Sequence, residues 1–234
     1  MREVRCCSGR AALPGPQAVT VQLDGAGNIY LASCTQSNDF PIVNAFQPSN
    51  KGGSDNQDGV VLIFNSTLST LLFSTYLGGS GNDAAYAIDL APNGNIYVAG
   101  GTESTVINDP AKDFPGVPSS GVIESANKGV IDGFVSIFSN SGALLKSTFV
   151  GTIGIDQIYG IKFDNNGFPY IMGQTTGNWP IINAPYSNAG AKQFIAKLQP
   201  DLSGYVYSTV FGSASSVPNI SPVAFLVDRC ENVY

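Results

Sequence analysis

The sequence predicts an all-β fold assembled from repeated four-stranded units, and three observations predict it. The first is ordered repetition. The block STYLGGS at Ser74–Ser80 returns as STFVGT at Ser147–Thr152 and as STVFGS at Ser208–Ser213. GNIY ending at Tyr30 returns ending at Tyr97, then as GFPY ending at Tyr170 and ENVY ending at Tyr234. DFP at Asp39–Pro41 and Asp113–Pro115 corresponds to NWP at Asn178–Pro180, and DGVVLIF from Asp58 corresponds to DGFVSIF from Asp132 and QFIAKL from Gln193. The anchors never change order, at intervals of about 60 to 75 residues, which is the length of one supersecondary unit. The second observation is four short runs of Val, Ile, Phe and Tyr in each unit. The third is composition: 27 Gly and 14 Pro beside 43% hydrophobic and only 12% charged residues describe strands and turns rather than helices or disorder.

Taken in order, the runs of the first unit are Val19–Leu23, Ile29–Ser33, Val60–Phe64 and Leu71–Leu77. Tyr86–Leu90, Ile96–Gly100, Phe134–Phe138 and Leu144–Val150 form the second unit, and Tyr159–Phe163, Pro169–Met172, Phe194–Leu198 and Tyr205–Phe211 the third. Val223–Val227 and Val233–Tyr234 begin a fourth. The first two runs of each unit are joined by DGAGN (Asp24–Asn28), APNGN (Ala91–Asn95), DNNGF (Asp164–Phe168) and DRCEN (Asp228–Asn232). Gly supplies positive φ and Asn or Asp tolerates it, so Asp24, Gly27, Asn28, Gly94, Asn95, Asp164 and Gly167 read as hairpin formers. Ala91 and Glu231 depart from that pattern. Four strands at this period describe a β-propeller blade, whereas a β-helix uses shorter rungs and a sandwich does not repeat internally. The units divide as a non-repeat segment 1–17, blades at 18–83, 84–157 and 158–222, and the start of a fourth blade at 223–234.

Composition also excludes function classes. Net charge is −6 with no basic run, which argues against nucleic acid and anionic membrane surfaces. The chain has no histidine, so triads with an imidazole base and His metal ligands are excluded. No apolar run reaches the ~20 residues of a spanning helix, and Met1–Gln17 carries arginines without the apolar core of a signal peptide. Closed propellers hold about four to eight blades, so three and a half predict a fragment of a larger propeller, partnered by further blades or by self-association.

The motifs STYLGGSGND (Ser74–Asp83), GNIYVAG (Gly94–Gly100), DFP (Asp39–Pro41), AFQ (Ala45–Gln47) and DGFV (Asp132–Val135) resemble the bacterial SBBP-type β-propeller repeat over nearly the whole chain from Ala18. FLVDRCENVY (Phe225–Tyr234) resembles blades of large secreted proteins that often end in a gliding-motility-type sorting domain. The resemblance implies export to the cell surface or medium and a structural, adhesive or binding role without assigned catalysis.

Candidate chemistry is sparse. Cys6, Cys7, Cys34 and Cys230 admit three full pairings and contain no C-x-x-C. GGSDNQDG (Gly52–Gly59) offers Asp55 and Asp58 as calcium ligands, yet the EF-hand register fails: Ser54 stands where its first Asp belongs and Asn65 where its Glu belongs. A solvated turn is the bland alternative, with Asp132 capping the equivalent turn. Trp179 suits a sugar platform, but it aligns with Phe40 and Phe114 and so reads first as a packing ring. Asp39, Asp83, Asp113, Asp132 and Asp156 could supply glycosidase carboxylates, and no pair stands out. The expectation is a non-enzymatic module that presents loops, above all Thr102–Gly121, to a protein or glycan, with no cofactor, calcium at Asp55 and Asp58 being the lesser alternative. The competing class is a carbohydrate-active propeller enzyme completed by other blades.

Overall fold

The computed structural model describes residues 20–220 and 224–234. The segment 1–17, with Cys6 and Cys7, and also Val19 and Val223, lie outside the described residues. The described residues form three antiparallel meanders of four strands each. Sheet 1 holds β1 (Thr20–Leu23), β2 (Ile29–Thr35), β3 (Asp58–Phe64) and β4 (Leu71–Leu77). Sheet 2 holds β5 (Asp83–Leu90), β6 (Ile96–Thr102), β7 (Asp132–Phe138) and β8 (Leu144–Val150). Sheet 3 holds β9 (Asp156–Phe163), β10 (Pro169–Thr175), β11 (Ala191–Leu198) and β12 (Tyr205–Ala214). Every run read from the sequence is a strand, except that the fourth unit contributes only a Val227–Val233 bridge flanked by paired Leu226 and Tyr234.

The turns form as their residues require. Gly27, Gly94 and Gly167 have φ of 80°, 84° and 83°. Asp24 Oδ1 accepts from the backbone N–H of Ala26 and Asn28, and Asp164 Oδ1 accepts from Asn166 and Phe168 in the same way. Asn95 closes the second turn with its N–H on Asn93 Oδ1, which replaces the missing Asp at Ala91. Glu231 keeps the turn geometry with φ of 64°, a strained value for a residue with Cβ.

Strand limits differ from the sequence reading at one end. β5 and β9 begin three residues earlier than expected, at Asp83 and Asp156, and β3 and β7 two residues earlier, at Asp58 and Asp132. Charge and Gly at these positions imitate turn signals, but the sheet ladders continue through them. The unit boundaries at 83/84 and 157/158 therefore fall just inside β5 and β9. Tyr86 and Tyr159 are each an extra residue opposite β6 and β10, a β-bulge, and their rings stack on one another 5.2 Å apart.

Apolar alternation then joins the sheets. One core packs Tyr30, Ala32, Val61, Ile63 and Leu77 of sheet 1 against Ile88, Ile96, Val98, Phe134 and Phe138 of sheet 2. A second packs Tyr97, Ala99, Val135 and Ile137 of sheet 2 against Ile158, Ile161, Ile171, Phe194 and Ala196 of sheet 3. Sheet 2 thus meets its two neighbours through opposite faces, as the period of two in a strand dictates. All tight turns lie at one end of the strands. The long β2–β3, β6–β7 and β10–β11 connections start at the other end and fold back along the outer strands, bridging Val43 to Ser74, Glu124 to Phe149 and Ile182 to Ser208.

Candidate functional site

The connections of sheets 1 and 2 meet in a groove of about 540 Å³ lined by Phe46, Pro48, Val106, Phe114, Pro115 and Val117, with Gln47, Ser49, Lys51 and Asp113 as its polar members. Phe114 is sealed beneath it, packed on Phe134 and Phe149, while Phe46 stays 43% exposed. Residues 106–118 belong to the Thr102–Gly121 insertion. Gln47, Lys51 and Asp113 are committed within the protein. Lys51 Nζ donates to Pro110 O across the groove (2.9 Å), Gln47 Nε2 donates to Asp58 Oδ2 (2.8 Å), and the Ile107 N–H donates to Asp113 Oδ1 (2.7 Å). What the groove leaves to a ligand is mostly apolar surface, with the exposed Ser49 hydroxyl beside it.

Behind Gln47 lies the least expected feature of the molecule. Asp58, Asp83, Asp132 and Asp156 are strand residues with no exposed surface. The solvated turn expected around Asp58 is therefore corrected, while Asp132 does cap its loop, from a buried position: each carboxylate turns inward and accepts from the backbone N–H of Lys51 or Lys128 (2.8 Å each), holding the incoming loop from inside. The Asp83 N–H donates to Gln57 O and the Asp156 N–H to Ile131 O, so each first-strand Asp sits beside the third-strand Asp of the preceding sheet. Burial pushes Asp58 up to about 6, against the Lys51 and Gln47 hydrogen bonds that favour its charge. Burial and then the Asp58 charge push Asp83 up to about 7, although Thr102 and Ser104 hydroxyls and the Gly79 N–H favour its ionised form. Asp132 rises to about 7 for the same first reason, with Asp156 and Glu124 adding like charge. In sheet 3 the aligned residue is Lys192, whose ammonium donates to Thr176 O and Gly177 O and draws Asp156 toward its charged form.

The remaining candidates find plainer places. Asp55 faces Asn82, away from Asp58, and among the described residues no three Cys, Asp or Glu side chains are grouped to hold a metal ion. Trp179 is buried, stacked on Phe194 at 3.5 Å and 6°, with its indole N–H on Ser208 Oγ. It is a core ring, as its alignment with Phe40 and Phe114 implies. Cys34 is disulfide-bonded, and Cys230 is free and exposed.

The carboxyl pairs escape a sequence reading because Asp58 and Asp132 precede Gly, the signature of a turn, and Asp83 and Asp156 close Gly-rich connections. A signal was present in the repeated motifs: Asn50-Lys51-Gly52 ahead of Asp58 matches Asn127-Lys128-Gly129 ahead of Asp132, at a shorter spacing, and Gly81-Asn82-Asp83 matches Gly154-Ile155-Asp156. Comparison with protein-family models and with curated proteins found no match to the chain.

Proposed function

We propose that the chain is a β-propeller module of the SBBP type from an exported or cell-surface bacterial protein, and that it binds a protein partner without catalysing a reaction. The propeller reading is supported by the meander order of each sheet, the stacking of successive sheets through opposite faces, and the inner contact between first strands through Tyr86 and Tyr159. Binding is carried by one observation, the groove between the outer connections of sheets 1 and 2. Glycan sites need several free hydrogen-bond partners, whereas here Gln47, Lys51 and Asp113 are occupied internally. Prolines and rings instead suit an extended peptide that contributes apolar side chains.

The test is binding of the purified chain to a peptide library and, in parallel, to a glycan array. Selection of extended apolar or proline-containing peptides is expected, with affinity falling at least ~10-fold in Val117→Asp, since a charge at an apolar contact costs more than ~1.4 kcal/mol. Retention on glycans alone, unaffected by Val117→Asp, rules out the peptide reading.

A further inference from the structure

We propose that the two sheet interfaces are locked by proton-holding carboxyl pairs, Asp58 with Asp83 and Asp132 with Asp156, so that the sheets pack most tightly in acid and loosen as the pairs ionise. The placement of donors carries this. In each pair one partner has donors on both oxygens. Asp83 accepts from the Gly79 N–H and Ser104 Oγ on Oδ2 and from Thr102 Oγ1 on Oδ1. Asp132 accepts from the Lys128 N–H on Oδ2 and the Gly129 N–H on Oδ1. The other partner has one bare oxygen: Asp58 Oδ1 is buried without a hydrogen bond, and Asp156 Oδ1 lacks one of good geometry, with the Thr175 hydroxyl close enough to favour the charged form of Asp156. A buried acceptor left bare is costly, and a proton on it converts it to a donor beside a carboxylate. Gly78 marks how closely the first pair approaches: a Cβ there would lie 2.5 Å from Asp58 Oδ1 and 2.6 Å from Asp83 Oδ2. Two interfaces carry the device, and the third sheet replaces its first member with Lys192.

Charged neighbours act in both directions, and Lys51 and Lys192 each favour the charged form of the Asp they face. Lys51 faces Asp58 but engages Pro110 with its ammonium. Facing the second pair are Glu124, whose Oε1 pairs with Lys128 at 2.5 Å while Oε2 is bare, the Tyr205 hydroxyl, and Lys192. Glu124 is itself pushed up by burial. Folded-state values above the ordinary Asp value of 3.8 mean that the folded chain retains protons that the unfolded chain has lost. Stability from these groups is complete below about pH 4 and is lost as pH rises through about 7, with the unfolding constant rising up to ~10-fold per pH unit for each retained proton. Asp24, Asp164 and Asp228, held below the ordinary value, act in the opposite sense only on the acid side of that window.

The experiment is urea unfolding of the full chain at a series of pH values between about 4.5 and 8. The parent midpoint is expected to fall with rising pH. Asp58→Asn combined with Asp156→Asn, which places an amide donor at each bare oxygen, is expected to flatten the profile, while the hairpin-turn variant Asp24→Asn keeps the parental slope. A parental midpoint that is flat or rises with pH, or a double variant with the parental slope, overturns the proposal. Should the double variant not fold, infrared spectra of the parent decide. A protonated-carboxyl carbonyl band persisting above about pH 5.5, where exposed carboxylates are ionised, upholds it, and its absence overturns it.

Discussion

At the scale of single residues, two glycines separate two kinds of constraint. Gly94 has φ of 84° and open space around the position a Cβ would take, so only backbone strain opposes a side chain there. Gly94→Ala is expected to cost about 1 kcal/mol, read as a lower urea midpoint with an unchanged slope. Gly100 has no positive φ, but a Cβ would lie 1.9 Å from Ala84 O, because the bulge at Tyr86 brings β5 against β6. Gly100→Ala should therefore cost more than ~2 kcal/mol, and a loss no larger than that of Gly94→Ala contradicts the bulge assignment. Both glycines stand in the same GNIYVAG block, and the sequence marks only the first as special. The turn motif is local, whereas the second requirement comes from a strand ten or more residues away.

At the scale of elements, repeat symmetry is broken where sheet 3 meets the fourth unit, and the breaks answer one another. Lys197 replaces the apolar residue that is Ile63 and Ile137 in the other sheets, and Glu231 replaces the turn Gly. The Lys197 ammonium lies 2.7 Å from Asp164 Oδ2 and 2.8 Å from Glu231 Oε2, over the rings of Phe168 and Tyr170. Phe225 packs over Gly160, and Asn166 Nδ2 donates to Glu231 Oε1. Charge and shape thus set one register for residues 224–234 on sheet 3. Lys197→Met leaves the Asp164 carboxylate buried without its cation, and we expect a loss of about 3 kcal/mol together with faster hydrogen exchange at the Leu226 and Tyr234 amides. Unchanged exchange at these amides would sever the link between the ion pair and the docking of this segment. Each departure alone reads as a lapse in the repeat; their pairing depends on β11 and the final turn being brought together.

For the whole molecule, the same face of every sheet is built to be covered. That face is buried in sheets 2 and 3, whereas in sheet 1 it carries Val21 and Leu23 at 50% and 63% exposure beside the part-buried Leu31, Leu62 and Phe64. A contiguous apolar face of this kind promotes association. Sedimentation of the isolated chain is expected to show concentration-dependent self-association that Val21→Lys with Leu23→Glu reduces, since neither substitution touches the inter-sheet cores. Equal association of parent and variant would direct attention away from this face.

Local chemistry carried in the sequence determined most of the architecture. Alternating apolar runs specify strands, Asp, Asn and Gly at fixed offsets specify their turns, and ordered repetition specifies that one meander is built three times. Those rules operate within a few residues of chain. The tertiary structure alone decided what depends on neighbours distant in sequence: the burial of Asp58, Asp83, Asp132 and Asp156, the groove between two connections, and the pairing of Lys197 with Glu231. An Asp beside a Gly has the same composition whether it faces water or a second carboxyl. Only the packing of the next sheet removes the water, and with it the reason for the charge.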